Sequence, residues 1–277
     1  MNVSLLRLAN WLSNPPRLLQ DVLLHFKPDL PLETRLALDL FPRPNYAYGV
    51  YRAATQARAL GIGGISAVEL GVGQGEGLLA LEAVASEVEK ATGVRVATFG
   101  FDLGEGLPAP QDYRDLPYLY APGYYQLDLA TLRARLKRSE LVLGDVSQTV
   151  PKYLDDRPPP IGFVAFDLDF YSSTVAALKL FESADSERYL PRVMCYFDDI
   201  ANEQALQTRY TGELLAVSEF NAHHPTIKID RITGFEYSRL IRDVWNIKMY
   251  VCHFFDHPRY NAHIMKEAAD YVPPLKA

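Results

Sequence analysis

The chain is poor in cysteine: only Cys195 and Cys252 occur among 277 residues, and neither belongs to a Cys-x-x-Cys pair. A disulfide framework and a zinc site built from thiolates are therefore both unsupported. Positive charge is also scarce, since 28 Lys and Arg stand against 34 Asp and Glu and give a net charge of −6. This balance provides no broad basic surface for a phosphate backbone, so we do not expect a nucleic acid partner.

Long apolar runs are missing as well. Residues 1–20 resemble an amphipathic helix, but Pro15-Pro16 interrupts it, polar side chains break its apolar stretch, and no small-residue cleavage site follows. We therefore expect neither a signal peptide nor a membrane span, no membrane partner, and by default a cytoplasmic location. We expect Trp11 and the leucines of this helix to pack on the core. The alternatives are a cover over a cofactor or a contact between copies in a homo-oligomer.

What the chain does have is apolar content, 48% of its residues, which is enough to bury a full core. The length fits one large α/β domain with an appendage. A proline-rich stretch, 28–44, separates the N-terminal helical region from the rest of the chain. We therefore predict an N-terminal helical extension or lid over residues 1–45 and a single α/β domain over residues 46–277.

Within that domain, short apolar strands alternate with helical segments. The predicted strands cover residues 65–70, 94–101, 140–143, 161–166, 193–197, 226–232 and 247–255. The predicted helices cover residues 46–60, 75–91, 129–138, 149–154, 172–183 and 203–221. This alternation predicts a doubly wound, mostly parallel, seven-stranded sheet. Ligands of such sheets bind at the carboxyl ends of the strands, so the residues that follow each strand are the candidates for function.

The first predicted strand ends in a glycine-rich loop, Glu-Leu-Gly-Val-Gly-Gln-Gly-Glu-Gly over residues 69–77. Glycines let the backbone turn sharply and approach a ligand, and the next helix points its first amides at that ligand. The dinucleotide fingerprint fails, because the sixth position counted from Gly71 is Glu76, whose carboxylate would repel a pyrophosphate. Glu69 with Gly71, Gly73 and Gly75 suits a cofactor that lacks phosphate and carries a charged amino acid tail. The alternative is a tight turn without a ligand.

Acidic side chains follow the second and third strands. Asp102 stands where a carboxylate can accept both ribose hydroxyls of an adenosine, with a turn cap as the alternative. Asp145 could accept from the adenine amino group or could equally cap the helix that starts near Ser147. Together these residues favour an adenosine site beside the glycine loop.

Two pairs of aspartates follow the fourth and fifth strands, Asp167 with Asp169 and Asp198 with Asp199. Unpaired carboxylates so close together would repel one another and take up protons. A hard divalent cation resolves this, and Mg²⁺ takes oxygen ligands while it retains waters for a substrate oxygen. A metal here would hold a substrate hydroxyl and lower its pKa. The alternative is that these aspartates pair with Arg or Lys while residues 172–174 cap the next helix.

With these residues in view, the chain resembles the macrocin O-methyltransferase family. The similarity rests on Glu-Leu-Gly-Val-Gly at 69–73, Phe-Asp-x-x-x-Gly-Leu-Pro at 101–108, Leu-Val-Leu-Gly-Asp at 141–145, Asp-Leu-Asp-Phe-Tyr-Ser-Ser-Thr at 167–174 and Phe-Asp-Asp at 197–199. Ser-Glu-Phe at 218–220 resembles a further element of the family. The resemblance implies a class I S-adenosylmethionine-dependent methyltransferase fold, a Mg²⁺ ion, and methylation of a hydroxyl on a small molecule, often a sugar of a natural product.

The resemblance also implies roles for the aspartates. Asp167, Asp198 and Asp199 would be the metal ligands. Asp167 and Asp169 would be the catalytic pair, with Asp169 either outside the ligand set or acting as the base. The chain departs from the family on both sides of the fifth strand, where residues 184–191 replace Pro-Gly-Gly and Ile-Ala-Asn-Glu follows Asp199.

Two other functions stay open at this point. The altered flanks of the fifth strand motivate a non-catalytic S-adenosylmethionine-binding protein of the same fold. A nicotinamide-dependent oxidoreductase is the other alternative, although the third glycine that it needs is absent. A tyrosine-rich loop, 113–125, is predicted either to face the acceptor as a lid or to bury its aromatic rings. His223-His224 is predicted to end the helix that precedes it.

Overall fold

The computed structural model describes residues 12–26, 29–201 and 206–264, and its centre is one seven-stranded sheet. The strands are β1 Gly64–Leu70, β2 Arg95–Asp102, β3 Glu140–Leu143, β4 Ile161–Phe166, β5 Tyr189–Phe197, β6 Ile227–Arg231 and β7 Met249–Phe254. Their order across the sheet is β3-β2-β1-β4-β5-β7-β6. β1 to β5 pair in parallel, whereas β7 is antiparallel to both β5 and β6. The prediction of a doubly wound, mostly parallel, seven-stranded sheet is confirmed.

Helices cover both faces of this sheet. They are α1 Pro15–Phe26, α2 Leu32–Ala37, α3 Pro44–Ala59, α4 Glu76–Thr92, α5 Leu129–Arg135, α6 Val146–Asp155, α7 Tyr171–Leu178, α8 Gly212–His223 and α9 Phe235–Ser238. One apolar core lies between the sheet and α3 with α4, and a second lies between the sheet and α6 to α8. Because both faces are covered, the central strand β4 is buried at all six residues, as its continuous apolar run predicts.

The point where the strand order reverses lies between β1 and β4, and ligands of open α/β sheets bind at such switch points. In register, Glu69 of β1 lies opposite Gly100 of β2 and Ala165 of β4. The loops that leave β1, β2, β4 and β5 therefore meet at one edge of the sheet.

Some predicted boundaries were wrong. The helix predicted over 203–221 begins only at Gly212, since a turn closed by the Thr211 amide and the Thr208 carbonyl precedes it. Residues 202–205 lie outside the described chain. The helix predicted from residue 149 begins at Val146, because Asp145 caps it earlier. β5 begins at Tyr189, four residues before its predicted start. His223 does end α8, as predicted.

The N-terminal segment is fastened to residues near the C-terminal strand. Arg17 of α1 pairs with Asp243 at 2.9 Å, and Gln20 donates to the Asp39 carbonyl at 3.2 Å. Asp39 in turn accepts from Arg239 at 2.5 Å and from the Trp245 indole at 3.1 Å. The division of the chain at residue 45 stays a prediction, and Trp11 lies outside the described residues. In the part that is described, every helix is too short or too polar to cross a bilayer.

Candidate active site

The glycine-rich loop after β1 forms one wall of the site. Gly71, Gly73 and Gly75 have φ values of +88°, +51° and +89°, in the left-handed region that favours glycine. A Cβ on Gly71 would lie 1.8 Å from the carbonyl oxygen of Asp167. Only glycine therefore lets the loop pass against the end of β4, and this close approach brings the glycine-rich loop beside Asp167.

Asp102, at the end of β2, joins two loops. Its Oδ2 accepts hydrogen bonds from the amides of Val72 and Gly73, both at 2.9 Å, and its Oδ1 accepts from Gly104 at 2.6 Å. These are the bonds of the turn-cap alternative. Asp102 also lines the cavity described below, so contact with a ribose stays a prediction.

Asp145, after β3, is the N-cap of α6 and accepts from the Ser147 amide at 2.7 Å. The hydrogen bonds from Ser147 hold the pKa of Asp145 below its ordinary value. The helix-cap alternative is therefore what the structure contains, while the adenine contact stays a prediction.

The cofactor-binding, metal-ligand and catalytic residues predicted from the sequence all line one cavity of about 660 Å³. The cavity opens at the carboxyl ends of β1 to β5, between the glycine loop and the aspartates. The predicted residues that line it are Glu69, Gly71, Gly73, Gly75, Asp102, Asp145, Asp167, Asp169, Asp198 and Asp199. Residues from five different strand ends are thus brought together as the parallel topology requires.

Glu69 is buried in this wall, with 1% of its surface exposed. Its Oε1 accepts a hydrogen bond from the Tyr46 hydroxyl at 2.6 Å, and its Oε2 has no partner among the described residues. Burial raises the pKa of Glu69 to about 8, although the Tyr46 hydrogen bond and the nearby Arg43 act in the opposite direction. A buried acidic group therefore lines the cavity, and one of its oxygens has no hydrogen-bond partner among the described residues.

Three of the four aspartates form a compact set. A carboxylate oxygen from each of Asp167, Asp198 and Asp199 lies within 4.8 Å of the other two. Burial, followed by the charges of Asp199 and Asp198, raises the pKa of Asp167 well above its ordinary value. Burial and the neighbouring aspartates raise the pKa of Asp199 in the same way. Such a group retains protons unless a cation balances its charge.

Asp169 lies beside this set but has different partners. Its backbone has φ +59°, and its amide donates to Asp199 Oδ2 at 2.9 Å. Burial raises the pKa of Asp169 to about 6, and a hydrogen bond from the Tyr120 hydroxyl opposes that rise. The strained turn at Asp169 thus presents its carboxyl next to the three-aspartate set and not as a member of it.

Several contacts of the aspartates were missed at the sequence level. The Tyr196 hydroxyl donates to Asp198 Oδ1 at 2.6 Å. The Lys248 ammonium donates to the Asp198 carbonyl and forms an ion pair with Asp198 Oδ1 at 3.4 Å, so for Asp198 the alternative of pairing with a lysine is present in the structure. Glu213, at the start of α8, is buried and accepts from the Asp199 amide at 3.1 Å. Tyr196 and Asp198 are two positions apart, and alternate residues along a strand share a face, so the sequence could have indicated this contact. Lys248 and Glu213, in contrast, reach the site only through the fold.

The tyrosines of the tyrosine-rich loop fall into a buried group and an exposed group. Tyr120 is buried and packs edge-to-face on Phe170, with ring centroids 5.8 Å apart. Four other tyrosines of the loop, Tyr113, Tyr118, Tyr124 and Tyr125, are at least half exposed. Tyr125 also lines the cavity.

One acidic and one basic side chain, Asp115 and Arg114, anchor that loop to the helices beneath it. Asp115 is fully buried and accepts from the amide and the hydroxyl of Ser172 at 2.8 and 2.9 Å. Arg114 donates to the Tyr171 hydroxyl at 3.0 Å, which itself donates to Glu219 at 2.5 Å. The loop is therefore fixed at its base, and Tyr125 is the exposed tyrosine of the loop that borders the cavity.

Comparison with known proteins gives a fold-level likeness. No protein-family model matches the chain, and no curated protein matches its sequence. Among solved structures, the calicheamicin methyltransferase CalS11 is 24% identical, over 79% of this chain and 86% of that one, with a TM-score of 0.48. The O-methyltransferase NovP is 16% identical over 65% and 72%, also with a TM-score of 0.48. An O-methyltransferase from Bacillus cereus, in complex with SAH, is 13% identical over 76% and 80%, with a TM-score of 0.38. These structural neighbours are methyltransferases, and at such identities the chemistry of this chain has to be judged from its own residues.

Proposed function

We propose that this chain is an S-adenosylmethionine-dependent O-methyltransferase that uses Mg²⁺ and acts on a hydroxyl of a small molecule. The observation that carries the proposal is the shared cavity, in which the glycine loop, Asp102 and the aspartate set all border the same space. Residues from separate sequence motifs therefore border the same cavity, which supports the proposal.

The cofactor wall suits a nucleoside without phosphate. Glycines at left-handed φ leave room for a ligand to approach the backbone, while Glu69 and Glu76 make that wall acidic. Acidic groups would repel a pyrophosphate but attract the amino group of a methionine tail. In this proposal Glu69 and the loop of Gly71, Gly73 and Gly75 bind that tail, Asp102 the ribose and Asp145 the adenine.

The donor set of Asp167, Asp198 and Asp199 suits a hard cation. One carboxylate oxygen from each residue lies within 4.8 Å of the other two, so the three side chains could together hold one Mg²⁺, which prefers oxygen ligands. Mg²⁺ held there would polarise an acceptor hydroxyl and neutralise the three carboxylates.

Asp169 is the residue to which we assign proton transfer. As the methyl group passes to the acceptor oxygen, the hydroxyl proton has to leave, and a carboxylate at the edge of the cavity can accept it. Hydrogen bonding to Tyr120 and to Asp199 holds Asp169 in one orientation. The acceptor itself would enter beside Tyr125, whose exposed ring suits contact with a sugar or a natural-product intermediate.

The alternative is a non-catalytic S-adenosylmethionine-binding protein, which the altered flanks of β5 still motivate. Calorimetry with S-adenosylmethionine is the first test, on the wild type, on Asp102→Asn and on Asp155→Asn, an exposed residue remote from the cavity. We expect binding by the wild type and the Asp155 variant, and a loss of at least tenfold in affinity in the Asp102 variant. Tight NADH binding without S-adenosylmethionine binding would overturn the proposal in favour of an oxidoreductase.

Metal dependence is tested separately with Mn²⁺ as a probe ion. We expect Asp198→Asn to weaken Mn²⁺ binding by more than tenfold and Asp155→Asn to leave it unchanged. A subsequent acceptor screen separates the enzyme from the non-catalytic alternative. Methyl transfer that a chelator abolishes supports the proposal, whereas full transfer in excess chelator would remove the metal from it.

A further inference from the structure

Arg43 is a charged residue of the cavity that neither the sequence motifs nor the aspartate set accounts for. It immediately precedes α3, is half-buried, and lines the cavity next to Glu69. Its guanidinium makes no hydrogen bond or ion pair with any residue that the structure describes. Its Cζ lies over the Tyr46 ring, 5.7 Å from the ring centroid. Arg35, Arg114 and Arg138, by contrast, each pair with a carboxylate.

The position of Arg43 is fixed by the chain around it. Pro44 is the first residue of α3, and a residue before proline is restricted to extended backbone; Arg43 has φ −126° and ψ 82°. Tyr46, one turn into the helix, is fully buried against Phe163 and Tyr196. The guanidinium is therefore held over the cavity by a rigid helix start and not by an exposed flexible loop.

A half-buried guanidinium without a protein partner has five N–H donors available for an anion. The carboxylates of Glu69, Asp167 and Asp198 lie close enough to act on Arg43 electrostatically, yet none forms an ion pair with it. If those carboxylates are occupied by an amino group and a metal, Arg43 is the cation left to bind an anionic group of a ligand. A planar guanidinium matches a carboxylate by two parallel hydrogen bonds.

The order of the strands suggests which anionic group that is. Asp145, Asp102 and Glu69 lie at the carboxyl ends of β3, β2 and β1, which are successive neighbours in the sheet. A nucleoside whose base lies at β3 and whose ribose lies at β2 would extend its amino acid end toward β1, where Glu69 and Arg43 lie together. We propose that Arg43 binds the α-carboxylate of S-adenosylmethionine, an inference that rests on the proposed function.

The test compares two ligands that differ only in that carboxylate: S-adenosylmethionine and decarboxylated S-adenosylmethionine. Calorimetric dissociation constants are measured for the wild type, Arg43→Met, Arg43→Lys and Arg58→Met. Arg58 is an exposed residue near the end of the same helix and serves as the matched control. Thermal unfolding of each variant checks that the fold is retained.

We expect Arg43→Met to weaken S-adenosylmethionine binding by about 10- to 100-fold, the range of a charge-assisted hydrogen-bonded pair. The decarboxylated ligand should change by less than threefold, and Arg43→Lys should recover part of the loss. Equal losses for both ligands, or no loss for either, would overturn the inference while leaving cofactor binding by the wild type intact. Failure of the wild type to bind S-adenosylmethionine at all would instead overturn the proposed function, and this inference with it.

Discussion

Replacing Glu69 by glutamine should flatten the pH dependence of stability of the ligand-free protein. The carboxyl is 1% exposed, and burial raises its pKa from 4.5 to about 8. Consider an acid whose pKa is higher in the folded state than in the unfolded state. It stabilises the fold fully when the pH is below its pKa in the unfolded state. That stabilisation is lost as the pH rises through the folded value. Between pH 4.5 and 8 the folded protein should therefore lose stability because Glu69 resists ionisation.

The size of the effect follows from the pKa. At about 1.36 kcal/mol for each pKa unit, a pKa moved from 4.5 to about 8 corresponds to roughly 5 kcal/mol as an upper bound. Asp167 and Asp199, whose pKa values burial also raises, add to the slope of the wild type. The informative quantity is consequently the difference between the wild type and Glu69→Gln. Urea unfolding at pH 5, 6, 7 and 8 in excess chelator measures it, and the variant should lose a few kcal/mol less over this range.

Glu82 provides a control of opposite sign. It is buried to 7% exposure, and its carboxylate accepts from the amides of Lys137, Arg138 and Ser139 at 2.9 to 3.1 Å. Burial alone would raise its pKa, but these hydrogen bonds outweigh burial and hold the pKa below its ordinary value. The stabilisation that ionised Glu82 gives the fold is therefore present at neutral pH and lost on acidification.

Glu82→Gln should cost about 1–3 kcal/mol at pH 7, because buried amides lose an ionised acceptor. It should leave the slope above pH 7 unchanged. If Glu69→Gln shows the same slope as the wild type while Glu82→Gln behaves as expected, Glu69 titrates as an ordinary carboxyl. The account of it as a buried group awaiting a ligand would then be wrong.

Two further predictions concern the framework of the site. Gly71→Ala should destabilise the protein by roughly 3 kcal/mol or more in urea unfolding, since its Cβ would meet the Asp167 carbonyl oxygen at 1.8 Å. Gly93→Ala, also at positive φ but with open space around it, should cost only about 1–2 kcal/mol; equal losses would contradict the close-approach argument. Asp39→Ala should cost about 3–5 kcal/mol, because it leaves a buried guanidinium without its carboxylate. Arg17→Ala, in a more exposed pair, should cost no more than about 1 kcal/mol by the same measurement, and the reverse ranking would refute the assignment.

The parts of the site that the sequence predicts are those that depend on strand ends. Each of four aspartates lies at or just after the carboxyl end of a strand, and parallel topology alone is enough to bring them to one edge of the sheet: Asp102, Asp145, Asp167 and Asp198. The glycines of residues 71–75 are likewise local features whose conformation can be expected from the motif. These residues line the same cavity, and their roles in it stay predictions.

The partners of those residues could not be predicted in the same way. Arg43, Glu213 and Lys248 come from a helix start, a helix beyond β5 and the segment before β7, and only the packing of the whole chain brings them to the aspartates. Local hydrogen bonding also decided details that periodicity cannot show. The Asp145 cap set the start of α6, and a turn before Gly212 delayed α8.

In the function that we propose, one cavity holds both an S-adenosyl cofactor and a divalent cation. A crystal structure of the protein grown with S-adenosylhomocysteine and Mn²⁺, measured at a wavelength where manganese scatters anomalously, tests this proposal most directly. We expect ligand density with its ribose at Asp102 and its amino acid end toward Arg43. We also expect an anomalous peak bound by Asp167, Asp198 and Asp199. Clear density for the ligand elsewhere, or an empty cavity at saturating concentrations of both, would contradict the proposal.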